Sequence, residues 1–110
     1  MKLPNHESAV VDLAKLRDYC LSPEHPRGRH KARMFAAILG FTAQDAEELQ
    51  QALLSAAHTY EAFSMVGDDY GQRYAVDFPL DGPGGMAAIR SLWIVRRGES
   101  FPRLISCYVL

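Results

Sequence analysis

The sequence predicts an α+β fold: three N-terminal helices followed by an antiparallel β-sheet of about four strands. Two changes along the chain carry this. Up to Ala57 the apolar residues recur at spacings of three and four, the helical period, whereas after Tyr60 they alternate with polar residues, the strand period. Glycine and proline clusters mark the breaks between segments. One face of such a sheet packs on the helices and the other is left available. A chain of 110 residues with 48% apolar content supports one domain, residues 1–110.

Glu7–Leu21 places Val10, Leu13, Leu16 or Arg17, and Cys20 on one helical stripe. Pro23 and Pro26 end that segment. A second helix is expected from about Gly28 to Leu39, with Ala32, Phe35, Ala36 and Leu39 inward and Gly40 as its C-terminal cap. Phe41 is placed to fold back over its last turn. Thr42 with Asp45 has capping-box spacing and opens a third helix to about Ala57, burying Ala46, Leu49, Leu53 and Ala56. Strands are expected near Glu61–Met65, over Tyr70–Pro79, from Met86 to Arg97, and over Leu104–Val109. The turn Asp81–Gly85 joins the two central ones.

Composition excludes several classes. No apolar run approaches the 18 or so residues of a membrane span. The charged N-terminal stretch is unlike a signal peptide, so a cytoplasmic location is expected, with Cys20 and Cys107 as reduced thiols. The net charge of −1 argues against broad coating of DNA, but it is unevenly spread. Residues 1–42 carry +3, residues 43–85 carry −7 and residues 86–110 carry +3. Two basic ends flank an acidic middle, which leaves room for a compact phosphate site.

The densest polar cluster is His25–Pro26–Arg27–Gly28–Arg29–His30–Lys31–Ala32–Arg33, running into the start of the second helix. Cations there oppose the helix dipole, so stability alone gives little reason for them. An anion site, with phosphate the obvious ligand, gives one, and Arg27, Arg29 and Arg33 are its candidate RNA contacts. The helical wheel sets Lys31 at the edge of the core with its amine exposed, and turns His30 outward. His25 and His30 are the candidate proton-transfer groups; His6 and His58 have no comparable company. In the third strand Trp93 faces the core and Arg90 the opposite side, toward Ser106 or Tyr108 of the last strand. Tyr70, Tyr74 and Tyr108 are candidates for stacking on bases. No paired cysteines, no i,i+4 histidines and no carboxylate cluster accompany His25 and His30, so no metal is expected. Gly82–Gly85 leads into a strand and includes Pro83, which lacks a donor, so no nucleotide-cofactor loop is expected either.

The segments Leu3–Pro4–Asn5, Lys15–Leu21, His25–Arg33, Tyr70–Tyr74 and Phe101–Leu104, in this order, resemble an uncharacterised bacterial domain family, DUF6883. The resemblance implies a domain found alone beside small antitoxin-like or immunity-like partners and at the tips of large bacterial toxins. Its layout is similar to the ribonuclease superfamily of barnase, colicin nucleases and messenger RNA interferases. That implies metal-independent RNA cleavage by attack of the 2′-hydroxyl on the adjacent phosphate. Carried onto this chain, His30 or His25 transfers the proton, Lys31 with Arg73 or Arg90 clamps the phosphate, and Ser106 orients. No glutamate has a barnase-like general-base placement, so the acid and base stay unassigned. The alternative is a noncatalytic RNA- or protein-binding module of a toxin–antitoxin-like pair.

Overall fold

The computed structural model describes residues 1–110. Three helical segments lead into a four-stranded antiparallel sheet of order β1-β2-β3-β4. Helix α1 is Leu13–Lys15, running on as a π-helical turn over Leu16–Cys20. Helix α2 is Arg29–Met34, running on likewise over Phe35–Leu39. Helix α3 is Ala46–Thr59, after a 3-10 turn at Ala43–Asp45. The strands are β1 (Ala62–Asp68), β2 (Gly71–Gly82), β3 (Gly85–Arg96) and β4 (Pro102–Val109).

The first helix starts later than its apolar spacing predicts. Asp12 caps it, its carboxylate accepting from the Ala14 N–H at 2.9 Å. Before the cap, Asn5 is left-handed (φ 52°), His6–Ser8 form a 3-10 turn, and Val10 lies extended beside β4. The Val10 N–H donates to the Pro102 carbonyl and the Leu104 N–H to the Val10 carbonyl, both at 2.9 Å. Val10 therefore covers a strand edge instead of joining the helical stripe. Leu16, not Arg17, is the buried member of the pair. In α2, Ala32, Phe35 and Leu39 are buried at the expected spacing, while Ala36, at the margin of that stripe, is exposed.

Gly40 caps α2 in the left-handed region (φ 75°), and the Gly84 N–H in the β2–β3 turn donates to the Leu39 carbonyl at 2.9 Å. The other end is held by a close approach. A Cβ on Gly28 would lie 2.1 Å from the Tyr19 carbonyl oxygen, so only glycine lets α2 start against α1. The capping box is present: the Thr42 N–H donates to Asp45 Oδ2 at 2.8 Å and the Gln44 N–H to Thr42 Oγ1 at 3.3 Å. Ala46, Leu49, Leu53 and Ala56 are buried as the spacing predicts, with Ala57 beside them.

The core lies between the helices and one face of the sheet. Leu16, Phe35, Leu39, Leu49 and Leu53 meet Val76, Phe78, Ile89 and Trp93 there. Trp93 is wholly buried, and its indole N–H donates to Ser91 Oγ at 2.9 Å. The Ser91 hydroxyl donates in turn to the Val76 carbonyl at 2.7 Å, so the polar atoms of this apolar layer are paired. Ile105 is unpaired: Leu92 faces Ser106 and Trp93 faces Leu104, which makes a bulge in β4. No helix is long and apolar enough to cross a membrane.

Candidate phosphate site at the edge of the sheet

Three elements converge on Lys31. It leaves α2 at the edge of the core, and its ammonium donates to Ser106 Oγ on β4 at 2.9 Å and reaches the Tyr19 hydroxyl on α1 at 3.5 Å. The ammonium is 5.3 Å from the centre of the Tyr19 ring and 5.6 Å from that of Tyr108, within cation–π range of both. Beside it opens a shallow hollow of about 280 Å³, lined by His30, Lys31, Met34, Tyr108 and Val109. His30 is exposed there.

The cations around the start of α2 stand outside the ion pairs. Arg27, Arg29, Lys31 and Arg33 make none of the seven ion pairs in the protein, so their field is uncancelled. Of the sheet arginines, Arg73, Arg90 and Arg103 are paired, while Arg96, like Lys15 and Arg97, makes no ion pair. Arg90 donates twice to Asp77, its cross-strand neighbour, each bond at 2.8 Å, and lies 5.2 Å from the Phe63 ring centre. The Asp77 carboxylate, with Tyr108 adding to it, raises the Arg90 guanidinium above its ordinary range. Arg73 is bound to Asp68 at 2.9 Å on the β1 side. Arg90 is still paired across the ladder with Tyr108, so it stands behind the hollow; Arg73 is not brought to Lys31 by any contact.

The other sequence candidates fall in distinct places. His25 Nδ1 accepts from the Arg27 and Gly28 N–H groups, each at 3.1 Å, and the ring meets Tyr19 edge-on with centres 4.7 Å apart. This nitrogen is taken up in closing the loop. Tyr70 is 75% exposed at the β1–β2 turn, away from Lys31. Tyr74 pairs with Trp93 and packs against the core, on the helix-covered side of the sheet. Only Tyr108 of the three tyrosines joins the hollow.

Three features of the site and its surroundings have no local signal in the sequence. Tyr19 is the first, since its neighbourhood is defined by Lys31 and His25 from another segment. The second lies beneath the site, where Cys20 and Cys107 are free, wholly buried thiols. The Cys107 thiol hydrogen-bonds to Cys20 and pulls it below the ordinary thiol range, to about 6, against the opposing effect of burial; Ser106 and the Lys31 charge add to the lowering. Cys107 is pushed up by the same contact and by burial. The third corrects the sequence reading of His6 and His58. Their Nδ1 atoms stand 2.7 Å apart, tying the N-terminal turn to the end of α3. No cluster of three or more His, Cys, Asp or Glu side chains has metal-binding geometry.

A helix-covered antiparallel sheet with a cationic edge defines the class of fold. The chain belongs to the DUF6883 family, a domain of unknown function, whose model matches residues 2–110. No curated protein matches it by sequence. Among solved structures it is similar to a chain of a contact-dependent growth inhibition toxin–immunity protein complex from Klebsiella pneumoniae 342. The TM-score is 0.64 at 15% identity, over 94% of this chain and 95% of that one, a likeness of fold.

Proposed function

We propose that this protein is a toxin-like endoribonuclease that cleaves RNA without a metal, using the Lys31–His30 edge. The observation that carries the reading is the unpaired Lys31 ammonium, held by Ser106 and two tyrosines beside an exposed histidine. The 2′-oxygen attacks the adjacent phosphorus, the bond to the 5′-oxygen breaks, and a 2′,3′-cyclic phosphate and a 5′-hydroxyl result. The 2′-hydroxyl loses a proton and the leaving 5′-oxygen gains one; His30 carries out one of these two transfers and solvent water the other. Lys31 stabilises the charge growing on the phosphoryl oxygens, where a fixed cation helps most. Ser106 holds Lys31 in place, and Arg27, Arg29 and Arg33 draw in the flanking phosphates. Tyr108 completes the wall, with Arg90 behind it across the ladder. The fold shared with a chain of a toxin–immunity complex supports a toxin-related or immunity-like role, with a small antitoxin or immunity-like protein as partner.

The test is incubation of the purified protein with mixed RNA in EDTA. Wild type is expected to cleave, and Lys31→Ala and His30→Ala to lose cleavage. No cleavage by wild type, or equal cleavage by the variants, sinks the reading. One observation favours the second reading, a noncatalytic RNA- or protein-binding module: His30 is the only exposed histidine beside Lys31, with no carboxylate among the residues lining the hollow. Salt-sensitive RNA binding without turnover is its signature.

A further inference from the structure

We infer that the hollow beside Lys31 takes an unpaired nucleobase, so that the phosphate site serves single-stranded RNA; this rests on the reading of that edge as an RNA site. A phosphate alone needs donors and charge. Yet three of the five residues lining the hollow are hydrophobic, and Met34 stands 44% exposed within it. Cations on one wall and apolar surface on the other match a nucleotide, whose phosphate is anionic and whose base has two apolar faces. The Tyr108 ring and the polarisable Met34 side chain supply stacking surface.

The polar edge of the base meets backbone. The Leu110 N–H donates to the Ala88 carbonyl on β3 at 2.9 Å. Ladder bonds alternate along an antiparallel pair, so the N–H and C=O of Val109 point away from β3, to the outer edge of β4. Val10 covers that edge only near Pro102–Leu104, leaving Val109 open on the hollow. One donor and one acceptor beside a stacking surface suit the edge of a base that has no pairing partner. A base within a duplex has its faces stacked and its edge occupied, and so cannot enter.

The experiment is an NMR titration of the full chain with the four nucleoside 5′-monophosphates, with ribose 5-phosphate, and with a single-stranded RNA competed by an RNA duplex. The best nucleotide is expected to bind about tenfold tighter than ribose 5-phosphate, as base stacking on an aromatic side chain allows. Met34→Ala should cut that excess to about twofold and leave ribose 5-phosphate binding unchanged; Tyr108→Leu should also cut the excess, with some loss of ribose 5-phosphate binding through its contact with Lys31, whereas Lys31→Ala should weaken both ligands. Met34 is exposed, so its replacement keeps the fold, which a urea melt verifies. Equal binding of nucleotide and ribose 5-phosphate overturns the inference. So does an excess that survives both variants, or a duplex that competes as well as the single strand. If the excess is found but RNA is not cleaved, the base site stands and the catalytic reading falls. If RNA is cleaved with no excess, the reverse holds.

Discussion

Along β4 the outer edge of the sheet is covered by Val10 near Pro102–Leu104 and reached by Lys31 at Ser106, while along β1 everything from Phe63 to Asp68 is exposed. The β4 side carries the Lys31 ammonium, which makes no ion pair, on a helix whose other cations, Arg29 and Arg33, make none either. The β1 side carries Asp68, with Asp69 after it, and Arg73 of β2 is bound to Asp68. A bulge between Met65 and Asp68 together with these charges blunts β1 as a template for further strands. The lesson is that count and position of arginines do not locate a site. Arg73 and Arg90 matched the pattern in sequence as well as Lys31 did. Their carboxylate partners, visible only in three dimensions, separate them from it.

The largest effect expected from breaking this contrast is on turnover. Lys31→Met keeps the stem and removes the charge, and should lower the RNA cleavage rate about 100-fold or more with little change in unfolding temperature. Arg73→Ala should change the rate less than about twofold; an equal loss would bring the β1 side into the site. Next comes Gly28→Ala. Its Cβ collides with the Tyr19 carbonyl, so urea unfolding should show a loss of about 2 kcal/mol, with RNA cleavage falling as α2 shifts.

The acid response should be shared by both edges and smaller. Asp68 is held below the usual carboxylate range by the Tyr70 N–H and then Arg73, and Glu99 by Arg103. A carboxylate lowered on folding contributes stability that is fully present above about pH 4, its unfolded range, and lost as pH falls through the folded value. Urea midpoints against pH should therefore show Asp68→Asn and Glu99→Gln each flattening the acid limb and converging on wild type at the lowest pH. A variant with an unchanged limb would remove that pair from the account. The smallest effect is expected at Val66, 90% exposed on β1. Val66→Lys should stay within about 0.5 kcal/mol of wild type in the same melts, and a larger loss would show that β1 is not an open edge.

Much of the fold was legible because its signals are local. The Thr42–Asp45 capping box, Gly40 after α2 and the alternation around Tyr74–Phe78 each act within a few residues. The start of α1 is not legible, because Val10 keeps helical spacing with Leu13 while making its bonds to β4, a partner over 90 residues away. Ala36 shares the spacing of Ala32 and Phe35 but sits at the margin of the buried stripe, where only packing decides exposure. Of the site, the cation cluster and the outward His30 were legible. Its apolar wall was not, since Met34 looks like any helix residue until Tyr108 and Val109 stand opposite it.

The sequence by itself determined the order and type of the elements, the core faces of α3, β2 and β3, and the concentration of positive charge where α2 begins. Periodicity and capping are short-range and survive in any chain that folds at all. The tertiary structure alone decided which cations are free, that Lys31 ends on Ser106 between Tyr19 and Tyr108, and that Cys20 lies against Cys107 beneath them. Those outcomes depend on close packing of α1 and α2 at Gly28 and on the bulge at Ile105. Helix-to-strand geometry of that kind is set by contacts between residues far apart in the chain.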